Sequence, residues 1–544
     1  MRKTNLILLV LFVISVPLMA QTVDEEIIRK PLIKTDNMIL GQPEYLDFDV
    51  DFKLGYEDKF WLGLGFRLDY TGGPFKLVAD IEFLNDGKYA PAAVMLPKGD
   101  MGGFYFMLNE GGLSYDKGPV FFSAGRFRNY DEIDSPYSLF LNSEGISANT
   151  FKFRWETVHL IYQTQWIQLN WNNAVSSPAW NEYLRRKGGD WNDPAINPDT
   201  TLPYDPYDTT GISYGFPDRG VNFKVYGIKI NDWRFGFLDA AVYSGRPFDL
   251  EYLLSPIPMY FTQYFRATNG RPWATENNDN CLIGLFWDLK KSNWDAYAQV
   301  LVDDFSLGFL RFIYDGFSRN PWKAAWALGG RLETPIGRFG FHHGAALKYT
   351  FEPVGTDGSG RYKDDAAATA YGYTYYPETR YYDGNEIVNI LIQDNMVGYK
   401  HGENNIAFQL DYQNRFYGFL VTSELEFILA GNNSPANPWQ DYDARASMYK
   451  DGKYGSQLFG DGQIEKTLEF RVNVSRRIGK LPLAVYGALA LGGRFNRLEL
   501  KPADPDPNYT NRTVDDDIWI WKASNNHELI FRFSLGVKYS LAVL

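Results

Sequence analysis

The sequence is poor in several things, and each shortage removes a class of protein. Cysteine occurs once, at Cys281, so no disulfide can form within the chain. Positive charge is in deficit. Lys and Arg number 54 against 66 Asp and Glu, a formal net charge of −12. That balance argues against nucleic acid as a partner, because phosphate binding needs a basic surface. Histidine occurs five times, as His159, His342, His343, His401 and His527. His342 and His343 are adjacent, so on a strand they face opposite sides. No HExxH pattern occurs, which removes the motif-bearing zinc proteases. No catalytic residue, metal site or cofactor is expected.

Long apolar runs are also missing, with one exception. Residues 1–20 read MRKTNLILLVLFVISVPLMA. Arg2 and Lys3 precede an apolar stretch from Leu6 to Val16, and Ala20 suits a cleavage site. This is the pattern of a secretory signal peptide, and its apolar part is too short to span a bilayer. Without Arg2 and Lys3 the chain keeps 52 basic against 66 acidic residues, a net charge of −14. Residues 21–44 read as a short periplasmic leader, and 45–544 as one structural unit.

What is present is aromatic and alternating. The chain holds 37 Tyr, 39 Phe and 15 Trp, yet its mean hydropathy is −0.33. In LDFDVDFKL (46–54), Leu46, Phe48, Val50, Phe52 and Leu54 alternate with Asp47, Asp49, Asp51 and Lys53. FKFRWE (151–156) and FRFSLGVKY (531–539) alternate in the same way. Each reads as a strand with one oily and one polar face. Eighteen such strands fit between residues 45 and 543. The links between them sort by parity. Those after even strands are tight, as at 71–73, 116–118, 231–232 and 479–480. Those after odd strands are mostly long, with 57–59 the exception.

Sorted links belong to an outer-membrane barrel, with short periplasmic turns and long outer loops. Lipid offers no partner to backbone N–H and C=O groups, so a spanning sheet has to close on itself. The fold class expected is therefore all-β: a transmembrane antiparallel β-barrel of about 18 strands. Its location is the outer membrane of a diderm bacterium. The apolar faces then meet lipid, including a lipopolysaccharide-type glycolipid if present, and Asp47, Asp49 and Asp51 form an acidic face on a wet lumen. Such a face either sets cation preference or merely keeps the lumen polar. The last strand suits barrel-insertion machinery, although the chain ends in Leu544 rather than Phe or Trp.

Other features point to the outer surface. Trp171, Trp180, Trp191, Trp273 and Trp439 lie within loops rather than at strand ends, so a membrane-interface girdle does not account for them. Indole faces stack on sugar rings, and nearby Asp and Asn suit sugar hydroxyls. Asp303 and Asp304 close one strand at its outer end and join these as candidate glycan contacts. A solvated loop charge is the plainer reading of that pair and of Asp515 to Asp517. The stretch YLLSPIPMYFTQYF (252–265) is too apolar for a free loop. It is expected to fold into the barrel mouth or lumen as a helix or hairpin.

Several segments, in order, resemble the Wzi-type capsule-assembly family. They are AGRFRNYDEIDSPYSLFLNSEG (124–145), LSPIPMYFTQYF (254–265), ENNDNCLIGLFWDL (276–289), AYAQVLVDDF (296–305), KAAWALGGRLETPIG (323–337) and VGYKHGENNIAFQLDYQ (397–413). In the fourth, Tyr297, Gln299, Asp303 and Asp304 match a Tyr-x-Gln-x-x-x-Asp-Asp strand. The resemblance covers roughly 120–415. It implies a non-enzymatic outer-membrane barrel that binds or anchors surface (capsular) polysaccharide. The alternative is a porin or solute diffusion channel, and a purely adhesive surface protein is a third reading. An open lumen would favour the channel and a plugged one the anchor.

Overall fold

The computed structural model describes residues 38–39, 42–87, 103–169, 171, 218–244, 246–266, 279–304, 323–348, 350–351, 373–375, 395–432, 434–435, 462–479, 481–502 and 519–542. Residues 1–20, expected as a signal peptide, and most of 21–44, expected as a leader, lie outside these residues. Eighteen strands build the barrel. They are β1 (Gln42–Glu57), β2 (Lys59–Gly72), β3 (Phe75–Leu84), β4 (Tyr105–Lys117), β5 (Val120–Phe127) and β6 (Ala148–Glu156). Next come β7 (Leu160–Gln168), β8 (Arg219–Ile230), β9 (Trp233–Ser244), β10 (Asn280–Lys290), β11 (Trp294–Asp304) and β12 (Lys323–Thr334). The series ends with β13 (Gly337–Ala346), β14 (Asn405–Phe416), β15 (Phe419–Ala430), β16 (Glu465–Arg477), β17 (Leu483–Phe495) and β18 (His527–Ala542). Two short helices, α1 (Leu250–Leu254) and α2 (Met259–Arg266), lie between β9 and β10.

Each strand pairs antiparallel with its chain neighbours, and β18 returns to β1. The closing register runs from Asp47↔Ala542 to Glu57↔Arg532. Closure leaves no edge, so the spanning backbone groups find their partners inside the sheet, bulges apart. The turn chemistry fits the tight end. Asn231 (φ 54°) opens the β8–β9 turn, and Tyr417 and Gly418 (φ 51° and 82°) make the β14–β15 turn. Positive φ at such positions matches the twist of the flanking strands. Asp58 (φ 58°) makes the exceptional tight link on the opposite end.

Register fixes the two faces. Phe52, Leu54, Leu64, Leu410, Phe531 and Leu535 point outward and are exposed. A continuous apolar belt of this kind is stable only against lipid. Trp155, Trp233, Trp294 and Tyr539 also point outward, each near the tight-turn end of its strand. They form the aromatic girdle of one membrane interface. The molecule is an 18-stranded outer-membrane β-barrel.

The segment after β9 departs from expectation. It does form helices, but they lie on the outward face of β7–β10 and not in the lumen. Register places Thr164, Lys224 and Asp239 on the outward face. Thr164 donates to the Leu253 carbonyl at 2.8 Å, and Lys224 Nζ donates to that of Ile257 at 3.0 Å. The polar partners of this segment are outside the barrel, and the segment follows them.

Candidate functional site: a half-filled lumen

Residues 128–147 leave β5 at the long-loop end and turn inward. Their apolar run, SLFL (138–141), explains why. Tyr137, Leu139, Phe140 and Leu141 are fully buried, packed among the inward residues Phe223, Val225, Leu238, Ala240, Leu282 and Phe286 of β8–β10. Burial of such side chains contributes roughly 1.5–3 kcal/mol each. Glycines make the room. A Cβ at Gly284 would meet the Phe140 ring at 2.7 Å, and one at Gly344 would meet Tyr137 Cβ at 2.7 Å. We call this segment the plug.

Wall side chains satisfy the plug's backbone, as burial requires. The Leu139 amide donates to Gln299 Oε1 at 2.9 Å, and Gln299 Nε2 donates to Asp131 at 2.9 Å. Asp131 in turn accepts from the amides of Phe140 and Leu141 at 2.8 and 3.1 Å. The Ser135 hydroxyl donates to the Tyr297 oxygen at 2.7 Å, and Tyr297 meets His342 Nδ1 at 2.6 Å. Tyr137 donates to Glu426 at 3.0 Å. A second inward piece, 395–404, lies against the plug. The Asn142 amide donates to the Val397 carbonyl at 2.7 Å, and the Tyr399 amide to that of Leu139 at 3.2 Å.

Charge pins the plug near the tight-turn end. Glu132 receives Arg154 and Arg234, each at 2.8 Å, and Asp134 receives Arg331 at 2.8 Å. Burial alone would raise the Glu132 carboxyl. The hydrogen bond and charge of Arg154, with the charge of Arg234 behind them, outweigh burial and hold it below the ordinary range. Among the described residues no cation is in ion-pair contact with Asp131. It keeps some accessible surface, but enclosure of its carboxylate pushes it up to about 6, against the pull of its amide donors.

The other side of the lumen stays wet. On β1–β4, Asp47, Asp49, Asp51, Asp69, Asp80, Glu82 and Glu110 face inward with Lys53, Arg67 and Lys76. Arg67 binds Asp69 at 2.6 Å, Asp80 at 3.0 Å and Glu110 at 2.8 Å. A bulge opposite Asp80 and Ile81 turns both Asn109 and Glu110 inward. Lys53 binds Glu82 at 2.5 Å, Lys538 binds Asp49 at 2.6 Å, and Tyr486 donates to Asp51 at 2.7 Å. Side-chain exposure separates the two sides. Arg67 is 31% exposed and Asp80 22%, whereas Glu132 is 3% and Asp288 4%. The plug buries the middle of the β6–β15 wall, whose charges are exposed only toward the tight-turn end, as at Glu156, Asp295 and Glu424, and leaves a charged, solvent-accessible crescent along β16–β18 and β1–β4.

The other sequence candidates fall in different places. Trp171 is exposed beyond the outer end of β7. Trp180, Trp191, Trp273 and Trp439 lie outside the described residues. Asp303 is buried beside Lys323, 3.7 Å away. Asp304 pairs with Lys323 in the ladder next to it. Among the described residues no group of three or more His, Cys, Asp or Glu is placed to hold a metal ion. Sequence reasoning missed Asp131, Glu132, Arg154 and Arg234. The signal available was the apolar SLFL run in a loop that also carries four acids, Asp131, Glu132, Asp134 and Glu144.

No protein-family model matches the chain, and no curated protein matches it. Among solved structures it is similar to Wzi of Escherichia coli, described as an outer-membrane protein of group 1 capsule assembly and a carbohydrate-binding β-barrel. That match has 10% identity over 91% of this chain and 83% of the other, with a TM-score of 0.48. It is also similar to OccK2 (OpdF) of Pseudomonas aeruginosa, solved with glucuronate, at 10% identity over 92% and 98% of the two chains and a TM-score of 0.41. OmpT of Vibrio cholerae matches at 8% identity over 92% and 97%, with a TM-score of 0.29.

Proposed function

We propose that this barrel is a solute channel whose passage is the charged crescent beside the plug. The observation that carries the reading is the contrast in burial between the two sides of one lumen. A lumen filled on all sides would bury the charges of β1–β4 as it buries Glu132 and Asp288. The plug narrows the passage from the β6–β15 side. On β1–β4 the inward carboxylates, with Glu57 and Asp116 at the strand ends, outnumber the inward cations nine to four. Arg471, Arg494, Arg532 and Lys538 of β16–β18 offset part of that excess, and the β1–β4 side favours small cations or polar solutes with a positive group. The sequence resemblance to capsule-assembly barrels supports a second reading, in which the outer loops hold a polysaccharide. Its motifs take on a specific role here. Residues 124–145, Tyr297, Gln299 and 397–413 are the plug and its seat, so they speak for a partly filled lumen more than for sugar contact.

The test is single-channel recording of the purified protein in planar bilayers under a salt gradient. Small steps with a cation-selective reversal potential support the channel. A silent intact protein that retains capsular polysaccharide on a column would overturn it in favour of the anchor.

A further inference from the structure

The outward wall is largely apolar, and a buried polar cluster on it lies under α1 and α2. Thr164, Asn222, Lys224 and Asp239 point outward from β7–β9, toward lipid, yet all four are buried. Residues 246–266 cover them. This segment is a helical hairpin whose tip reads Ser255-Pro-Ile-Pro258. The prolines remove amide donors, and the chain between the helices leaves carbonyls without helical partners.

The barrel wall supplies what the hairpin lacks. Lys224 Nζ donates to the carbonyls of Ser255 and Ile257, the second at 3.0 Å. The Tyr226 hydroxyl donates to the Pro256 carbonyl at 3.1 Å. Trp166 Nε1 donates to that of Pro247 at 2.8 Å. At the start of α2, the Met259 amide donates to Asp239. In water these groups would need no such help. In hydrocarbon, non-helical backbone persists only where protein satisfies it.

The free side of the hairpin has the polarity of a membrane leaflet. Leu254, Ile257, Tyr260, Phe261, Tyr264 and Phe265 are exposed. Charge is confined to the base, where Arg246 and Arg266 both bind Asp249, at 2.8 and 2.6 Å. The base sits at the outer ends of β9 and β10, and the tip reaches Tyr226. Pro247 lies against Gly220. Six residues of β8 separate these levels, about 20 Å along the strand at ~3.3 Å per residue. With a strand tilt of about 40°, the descent is roughly 15 Å, more than half of the ~25 Å apolar band of such a barrel.

We infer that residues 246–266 form a re-entrant, lipid-embedded hairpin on the outside of the barrel, and that its partner is the acyl-chain layer of the outer leaflet. Its apolar face continues the lipid-facing belt of the wall, and its charged base lies at headgroup level. This inference is independent of whether the lumen conducts.

The experiment uses nitroxide labels at Leu254→Cys, Phe261→Cys and Tyr264→Cys. Each is made in a Cys281→Ala background, in full-length protein reconstituted in lipid vesicles. Power saturation compares collision with oxygen and with a water-soluble nickel chelate. The oxygen-to-nickel ratio should match that of a label at Leu285→Cys on the bare wall, and exceed several-fold that at Trp171→Cys. Preference for nickel would place the hairpin in water and overturn the inference. Shielding from both probes would mean that protein covers this face, and would overturn it equally. Resistance of the barrel to unfolding in cold detergent checks that each variant is folded.

Discussion

Glu132→Gln tests the plug most directly. Glu132 is a buried carboxylate between two guanidiniums, and the substitution keeps its shape while removing its charge. Breaking a buried pair costs about 3–5 kcal/mol. The low end applies here, because Arg154 keeps Glu156 at 2.6 Å and Arg234 keeps Asp288. A loss of roughly 3 kcal/mol shifts the balance between seated and unseated plug about a hundredfold. The hydrophobic cluster around Phe140 stays intact, so the barrel remains folded and most plugs remain seated. The assay is the frequency of large-conductance steps in planar bilayers, which should rise about a hundredfold by that arithmetic. Arg234→Gln added to Glu132→Gln should then cost less than Arg234→Gln alone, because the pair is already broken. An unchanged step frequency, or strict additivity of the two substitutions, would refute the reasoning.

Other expectations concern both sides of the lumen and the hairpin outside it. Gly344→Ala places a methyl 2.7 Å from Tyr137 Cβ, so it should also raise the frequency of large steps, by overpacking of about 1–3 kcal/mol; a silent substitution would count against the seat described. Asp49→Asn with Asp51→Asn removes two carboxylates from the crescent, and the reversal potential in a salt gradient should move toward zero. No movement would mean that ions do not pass that wall. Seating should depend on pH with two signs. The seated Asp131 carboxyl lies at about 6, above its ordinary 3.8, so its ionised form opposes seating, and large steps should become rarer as pH falls from about 7 to 5. Glu132 is held below its ordinary 4.5, so its contribution disappears in stronger acid and large steps should return below about pH 4. A single monotonic trend across the whole range would contradict this pairing. Lys224→Met deprives Ser255 and Ile257 of their donor, and protease cleavage within 250–266 should accelerate severalfold while the barrel stays intact; unchanged cleavage would show that the wall does not hold the hairpin.

The wall of this protein was readable from sequence because period two is a local property. Asp47 to Lys53 alternate with Phe48 to Phe52, and any closed sheet in lipid has to turn one set out and the other in. Loop parity added the direction. The loops were harder. The run 252–265 was legible as something that packs, but its destination depended on Thr164, Lys224 and Asp239, which lie far away in the chain. Read alone, those residues break the alternation and look like weak strand signals. The plug was hidden for a similar reason. Tyr297 and Gln299 are separated from Ser135 and Leu139 by about 160 residues, and no local pattern ties them.

By itself, then, the sequence determined a closed barrel of eighteen strands, its two faces and its two ends, because alternation and turn length act over a few residues. It did not determine what fills the barrel or what leans against it. Those outcomes rest on polar groups finding partners across the sheet. Glu132 meets Arg154 and Arg234 only once β6 and β9 stand on the same wall. Lys224 meets the carbonyls of 255 and 257 only once register has turned it outward. An unsatisfied buried charge or carbonyl costs several kcal/mol, so each loop settles where the folded wall can satisfy it, and only the closed sheet specifies where that is.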